Sequence, residues 1–307
     1  MLFIGIQTDS LSLYARQPKK RSYLALGNRI ELYYLVSQLI QLRLSYRQIQ
    51  QAVLQRKHAW LSKSTISYWA RRIHNPLGKV SQFQSGPSPE LAYVIGVVLG
   101  DGNLNIHGYN AELILAVTDY DFAKEFSASL ATILVQPKPY KVRWHPRKNR
   151  WVVQGSSILL YNFLSRDWRN LKKWIEHCSR CRAAFLRAFY DAEGSISGRK
   201  LSLHNTKKAL LLYIQDLLNQ HRVETSRLYL HRSKGTALLD PKSGKVYFRR
   251  KDGFSFIVRT KSLPQFAKEI GFSIERKQKR LAEAARGVME RTLISNEAIP
   301  HSDSRGL

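Results

Sequence analysis

The sequence predicts an α+β protein made by internal duplication, with a small all-helical domain ahead of it. Three observations carry this. The stretches 91–102 (LAYVIGVVLGDG) and 185–194 (FLRAFYDAEG) are apolar runs with small residues inside, and each ends in an acid followed by glycine. Alternating strand patterns, a helical pattern and more strands follow each one. Residues 28–76, by contrast, show helical periodicity alone.

In the N-terminal domain (1–76), Ile30, Leu32, Tyr33, Leu35, Val36, Leu39 and Ile40 recur at helical spacing over 29–44. Ser45 is placed to cap a second helix over 46–55, and Ser62 a third over 63–73. The third turns Ile66, Trp69 and Ala70 inward and Lys63, Ser64, Thr65, Ser67, Tyr68, Arg71 and Arg72 outward. Short helices joined by a turn, the last rich in hydroxyls and cations, fit a helix-turn-helix module that contacts bases and phosphates. The segment SKSTISYWARR resembles the recognition helix of transposase and resolvase-type domains. Residues 77–89, broken by Gly78, Gly86, Pro87 and Pro89, read as a linker.

The first repeat is expected over 90–170 and the second over 171–292, with a loose tail over 293–307. In the first motif helix Gly96 and Gly100 lie four apart, hence on one face. Glycine weakens a helix, so that spacing makes sense where a second helix passes very close. Ala188 and Ala192 hold the matching places in the second. Two helices touching through these faces bring Asp101 and Glu193 together at their ends. Neighbouring carboxylates repel unless a proton or cation lies between them. An all-oxygen site of that kind suits magnesium, and magnesium suits phosphodiester hydrolysis.

Strands are expected at 103–107, 112–118, 140–146 and 151–155 in the first repeat. In the second they are expected at 195–197, 200–205 and 222–231, with a hairpin over 245–260 turned at Lys251–Asp252–Gly253. Each sheet would give one face to helices and one to a duplex. The basic candidates there are Lys141, Arg143, His145, Arg147, Lys148 and Arg150, then Arg199, Lys200, His204, Lys207, Arg227, His231, Arg249, Arg250, Lys251 and Arg259. Lys261, just past the last strand, is expected to approach the centre and steady a phosphate or water.

Charge agrees with a polyanionic partner. Among 307 residues, 50 Lys and Arg oppose 22 Asp and Glu, a formal charge of +28. No stretch reaches eighteen consecutive apolar residues, so no membrane span is expected. The apolar start MLFIGI meets Gln7, Asp9 and Ser10 too soon for a signal peptide. The expected place is the cytoplasm, at the nucleoid. Cys178 and Cys181 form a lone CxxC, half a zinc site or a redox pair in principle, and are expected to be two plain thiols because no second pair completes a ligand set.

The nine-residue segments VIGVVLGDG and LRAFYDAEG resemble the two motifs of the LAGLIDADG homing endonuclease family. The third motif position is Gly96 and Ala188; the eighth, the family's metal-binding acid, is Asp101 and Glu193. Asp191, at the sixth position, is secondary. The resemblance implies a monomer of two pseudo-symmetric αββαββα units whose saddle-shaped sheets lie along a long duplex. It implies cleavage of both strands with Mg2+, or another divalent metal such as Mn2+, at Asp101 and Glu193, with the adjoining Gly100 and Ala192 in the metal set. Family members are encoded by mobile introns or inteins; without splicing blocks here, a free-standing or intron-encoded enzyme is expected. The alternative on the same fold is a catalytically silent DNA-binding regulator, or a maturase acting on group I intron RNA.

Overall fold

The computed structural model describes residues 26–71, 73, 76, 82–107, 110–241 and 244–297. Arg72, the start of the linker and the last ten residues lie outside them. The chain divides into two compact units, Met1–Lys79 and Val80–Leu307.

Among its described residues the smaller unit has three helices: α1 (Leu26–Gln41), α2 (Tyr46–Lys57) and α3 (Lys63–Ala70). Their apolar stripes close on one core of Leu32, Val36, Leu39, Ile49, Val53, Leu61, Ile66 and Trp69. Ser45 and Gln48 form a capping box on α2, and Ser62 accepts the Thr65 amide at the start of α3. The connection between α2 and α3 is held from inside, where the buried Gln50 donates to the Leu61 carbonyl at 2.8 Å. The last helix stops at Ala70, three residues short of expectation, because Arg71 leaves helical dihedrals.

The larger unit repeats one plan twice. The first copy runs α4 (Pro89–Leu99), β1 (Asn103–His107), β2 (Asn110–Val117), α5 (Tyr120–Ile133), β3 (Arg143–His145), β4 (Arg150–Ser156) and α6 (Ile158–Leu164). After α7 (Lys172–Ile175), the second runs α8 (Ser179–Glu193), β5 (Gly194–Ser197), β6 (Lys200–Asn205), α9 (Lys208–Gln220), β7 (Tyr229–Arg232), β8 (Ala237–Leu239), β9 (Val246–Phe248), β10 (Gly253–Val258) and α10 (Leu263–Glu269). A long helix, α11 (Glu275–Glu297), follows. The sheets have matching orders, β1-β2-β4-β3 and β5-β6-β10-β7, with every pairing antiparallel. Alternation sets their faces. Leu113, Leu115, Val117 and Val153 are buried in the first, and Leu201, Leu203, Phe256 and Val258 in the second. Both copies feed one continuous core that includes the motif helices.

Four expectations are corrected. Residues 140–142 are not strand: Ser127 takes the Tyr140 carbonyl at 2.6 Å and holds that segment against α5. Residues 222–228 are likewise irregular, anchored by Gln215 on Ser226 and by Ser262 on the Glu224 amide. The expected hairpin over 245–260 does not form. Phe256 and Val258 are buried, so β10 sits between β6 and β7, whereas the wholly exposed 246–248 pairs with 237–239 as a separate ribbon. Finally, the end of the linker is packed: Phe83 stacks edge-on against Phe163, Gln84 donates to Ile133, and Trp174 donates to the Ser85 carbonyl.

Candidate metal-binding and active site

The site is made where α4 and α8 end. These helices approach so closely that glycine is required on one of them. A Cβ at Gly96 would lie 2.6 Å from the Phe185 carbonyl oxygen and 2.8 Å from the Ala188 Cβ. One at Gly100 would lie 2.5 Å from the Ala192 Cβ. Each contact therefore has glycine on α4 facing alanine on α8, and a glycine on α8 is not needed. The glycine after each acid serves another close approach. A Cβ at Gly102 would meet the Val98 Cα at 2.8 Å, and one at Gly194 the Tyr190 carbonyl at 2.5 Å.

This contact delivers Asp101 and Glu193 to neighbouring positions. Glu193 is half-buried, and its carboxyl is pushed up to about 7, first by burial and then by the charge of Asp101. Asn205 opposes the shift by donating to Glu193 Oε1 at 3.0 Å. The orientation of that amide is fixed, because its own oxygen accepts the Lys207 backbone N–H at 2.9 Å. Asp101 is also raised by burial, although its residue lies at the exposed rim, and the charges of Lys277 and Arg150 pull it back down. A cleft of about 400 Å³ opens beside Glu193, lined by His204, Asn205, His231 and Arg232 among others. One of about 230 Å³ opens beside Asp101, lined by Ala116, Val117, Asp119 and Arg150 among others.

Two residues that sequence reasoning undervalued hold the end of α8. Asp191 is buried, and its carboxylate accepts the Ser273 hydroxyl at 2.5 Å, the Ser273 amide at 3.1 Å, the Ile274 amide at 3.4 Å and the Tyr93 hydroxyl at 3.3 Å. It joins α8 to α4 and to the start of α11. Burial still pushes it up to about 6. Lys277 is buried too, and its ammonium donates to the carbonyls of Tyr190, Asp191 and Gly194 at 3.2, 2.7 and 2.8 Å. A cation on the last carbonyls complements a helix C-terminus. The local sequence ERKQKR gives no sign that its third residue points inward.

Of the expected nucleic-acid contacts, Arg143, His145 and Arg150 share one face of the first sheet by register, with Arg147 and Lys148 in the turn beside them and Lys141 just ahead. Lys200 and His204 share a face of the second sheet, and His231 lies against His204 with the rings tilted and 4.7 Å between centroids. Arg199 lies in the β5–β6 turn, Lys207 at the start of α9, Arg227 ahead of β7 and Arg259 after β10, all exposed. Arg249, Arg250 and Lys251 lie between the ribbon and β10. On α3, Lys63, Ser64, Tyr68 and Arg71 are exposed, whereas Thr65 and Ser67 are half-buried. The Ser64 and Thr65 hydroxyls are each 2.8 Å from that of Ser62. Lys261 is corrected: it forms an exposed ion pair with Glu224 at 2.8 Å and is not among the charges acting on either acid.

The donor chemistry fits a hard divalent cation. Two carboxylates at abutting helix ends, one of them made proton-seeking first by burial and then by the other's charge, would be relieved by a doubly charged ion with oxygen preference. Gly100 and Ala192 face each other directly behind them.

A family described as a LAGLIDADG-like domain matches residues 180–271. Uncharacterized protein MJ0398 of Methanocaldococcus jannaschii is 34% identical over 255 residues, covering 82% of this chain and 92% of that protein. Uncharacterized protein MJ0314 of the same organism is 30% identical over 150 residues, covering 46% and 57%. Among solved structures, the homing endonuclease I-DmoI in complex with DNA and Ca is similar with a TM-score of 0.46 and 20% identity, covering 64% of this chain and 97% of that one.

Proposed function

The chain belongs to the LAGLIDADG family, and on that premise we propose that it is a site-specific double-strand DNA endonuclease. The observation that carries the reading is the pair Asp101 and Glu193 at the ends of two helices packed closely enough to need glycine at their contact, with basic sheet faces on both copies. A protein that only binds DNA has no use for two raised-pKa carboxylates set against each other. A bound divalent cation would stabilise charge on the phosphoryl oxygens and lower the pKa of water. Asp101 and Glu193 would hold it. Asn205 keeps the Glu193 carboxylate in one orientation. Arg150 beside one acid, and Lys207 and Arg232 beside the other, offset phosphate charge. The basic residues of both sheets grip the phosphates of a duplex, an attraction that weakens steeply with salt. The three-helix unit adds a second, separate DNA contact through Lys63, Ser64, Tyr68 and Arg71.

The test is cleavage of a randomised duplex library in magnesium, with sequencing of the cut ends. One long, partly symmetric site with staggered ends is the expected result. Asp101→Asn and Glu193→Gln should each lower cleavage of that site by more than about 100-fold, the upper range for changes merely adjacent to a metal, while leaving binding intact. Enrichment of a bound site without cutting by the unaltered protein would instead favour the regulator, a reading to which the added three-helix unit lends weight. Full cleavage by both variants would remove these acids from the chemistry.

A further inference from the structure

We infer that His177, Cys178 and Cys181 form a second metal site, for a single zinc-class cation, at the start of the helix that carries Glu193. Their ligand atoms, one imidazole nitrogen and two sulfurs, all lie within 4.8 Å of one another, and no other cluster of three such side chains occurs among the described residues. The site is local and therefore ready-made. Cys178 is the N-cap of α8, with the Cys181 amide donating to its Sγ at 3.4 Å, and one turn of helix returns Cys181 beside it. Histidine supplies what the CxxC alone lacked.

Three states are open to such a pair: free thiols, a disulfide and a metal site. Cys178 Sγ and Cys181 Sγ are 3.3 Å apart. Tetrahedral zinc with Zn–S of about 2.3 Å spaces two sulfurs by about 3.8 Å. A disulfide needs about 2.05 Å. The observed 3.3 Å is the contact of one free thiol donating to the other sulfur; it is too long for a disulfide bond and reaches the zinc spacing by a movement of about 0.5 Å, and an imidazole alongside has no part in a disulfide. Two thiolates and a neutral imidazole suit a borderline-soft divalent ion rather than magnesium, and the two negative charges balance it despite the flanking Arg180 and Arg182. Cys181 is buried whereas His177 is exposed, so the fourth position opens to solvent, where water completes the tetrahedron. The site lies at the junction of α7 and α8, between the two copies. Bound metal there pins the first turn of α8 and, through it, the segment joining the copies.

The experiment treats the full-length protein with chelator and reductant, returns zinc, removes the excess by gel filtration and counts the metal per chain. One equivalent of zinc is expected. Cobalt in its place should give a thiolate charge-transfer band. Because Cys181 is in the core, the working variants are Cys178→Ser and His177→Ala, with circular dichroism to verify folding. Cys178→Ser should lose zinc and the band; His177→Ala should weaken zinc binding at least tenfold. Failure of the unaltered protein to retain zinc, or retention by Cys178→Ser, overturns the site. So does isolation of the pair as a disulfide, which would make it a redox pair instead. None of these results depends on whether the chain cuts DNA.

Discussion

The two copies share a plan yet present their acids to different surroundings. Aligning the strand registers on the motif acids places Ala116 opposite His204, Val117 opposite Asn205 and Asp119 opposite Lys207. Continuing into the next strand places Arg150 opposite Gly253. Asp101 thus has an arginine and no amide donor. Glu193 has an amide donor, two adjoining histidines and a cleft larger than the one beside Asp101. Asp119, at the start of α5, is bound by Arg276 at 2.6 Å, whereas Lys207, at the start of α9, leaves its charge free to act on Glu193. Duplication preserved the scaffold, and the strand ends set each acid's character. On the reading proposed above, the two DNA strands meet chemically different halves.

The same inequality holds in the helix pair, and the largest predicted effect tests it. Gly96→Val drives a side chain into a backbone carbonyl that cannot yield, and should cost about 3 kcal/mol of stability by urea denaturation. A small loss would mean that α4 and α8 can separate. Next comes the lock on α8. Lys277→Met leaves three carbonyls without their donor and removes the cation near buried Asp191; a loss of about 2–3 kcal/mol is expected.

The pH response separates the acids of the second copy. An acid whose pKa is higher folded than unfolded makes the folded state the better proton binder, so stability falls as pH rises through that window. In chelator, the urea midpoint should decline as Glu193 moves from its ordinary 4.5 through about 7, and level off above. Asp191 contributes over a lower window, from 3.8 to about 6. Glu193→Gln should therefore flatten the curve between about pH 6 and 7, make it shallower between 4.5 and 6, where Asp191 still contributes, and leave it unchanged only below 4.5; an unchanged curve throughout would show that the Glu193 carboxyl is not raised by folding.

The counterpart of the Gly96 change is much milder. Ala188→Gly adds no clash and should cost about 1 kcal/mol, the intrinsic penalty of glycine within a helix. Equal losses at the two positions would refute the division of roles between α4 and α8. Smallest of all, Tyr93→Phe removes one of several donors to Asp191, and about 0.5–1 kcal/mol is expected from the same denaturation series.

The duplication, the motif helices, both acids and the three-helix unit were readable along the chain. Those features are local: apolar period, small-residue spacing and capping side chains are written along a single segment. Even the tolerance of alanine at position 188 follows from size once glycine stands opposite. What depends on partners far along the chain emerged only where the elements pack together. The alternating residues 245–260 announce strands without saying which neighbours they choose, and burial of Phe256 and Val258 sent only half of them into the sheet. Lys261 and Lys277 are both lysines in charged surroundings, and only packing put one in an exposed ion pair and the other under three carbonyls. Asn205 became a partner of Glu193 through antiparallel register, which pairs residues a dozen positions apart. Local periodicity specifies an element, whereas the side chain that touches an acid is chosen by the geometry of elements meeting, which no single segment encodes.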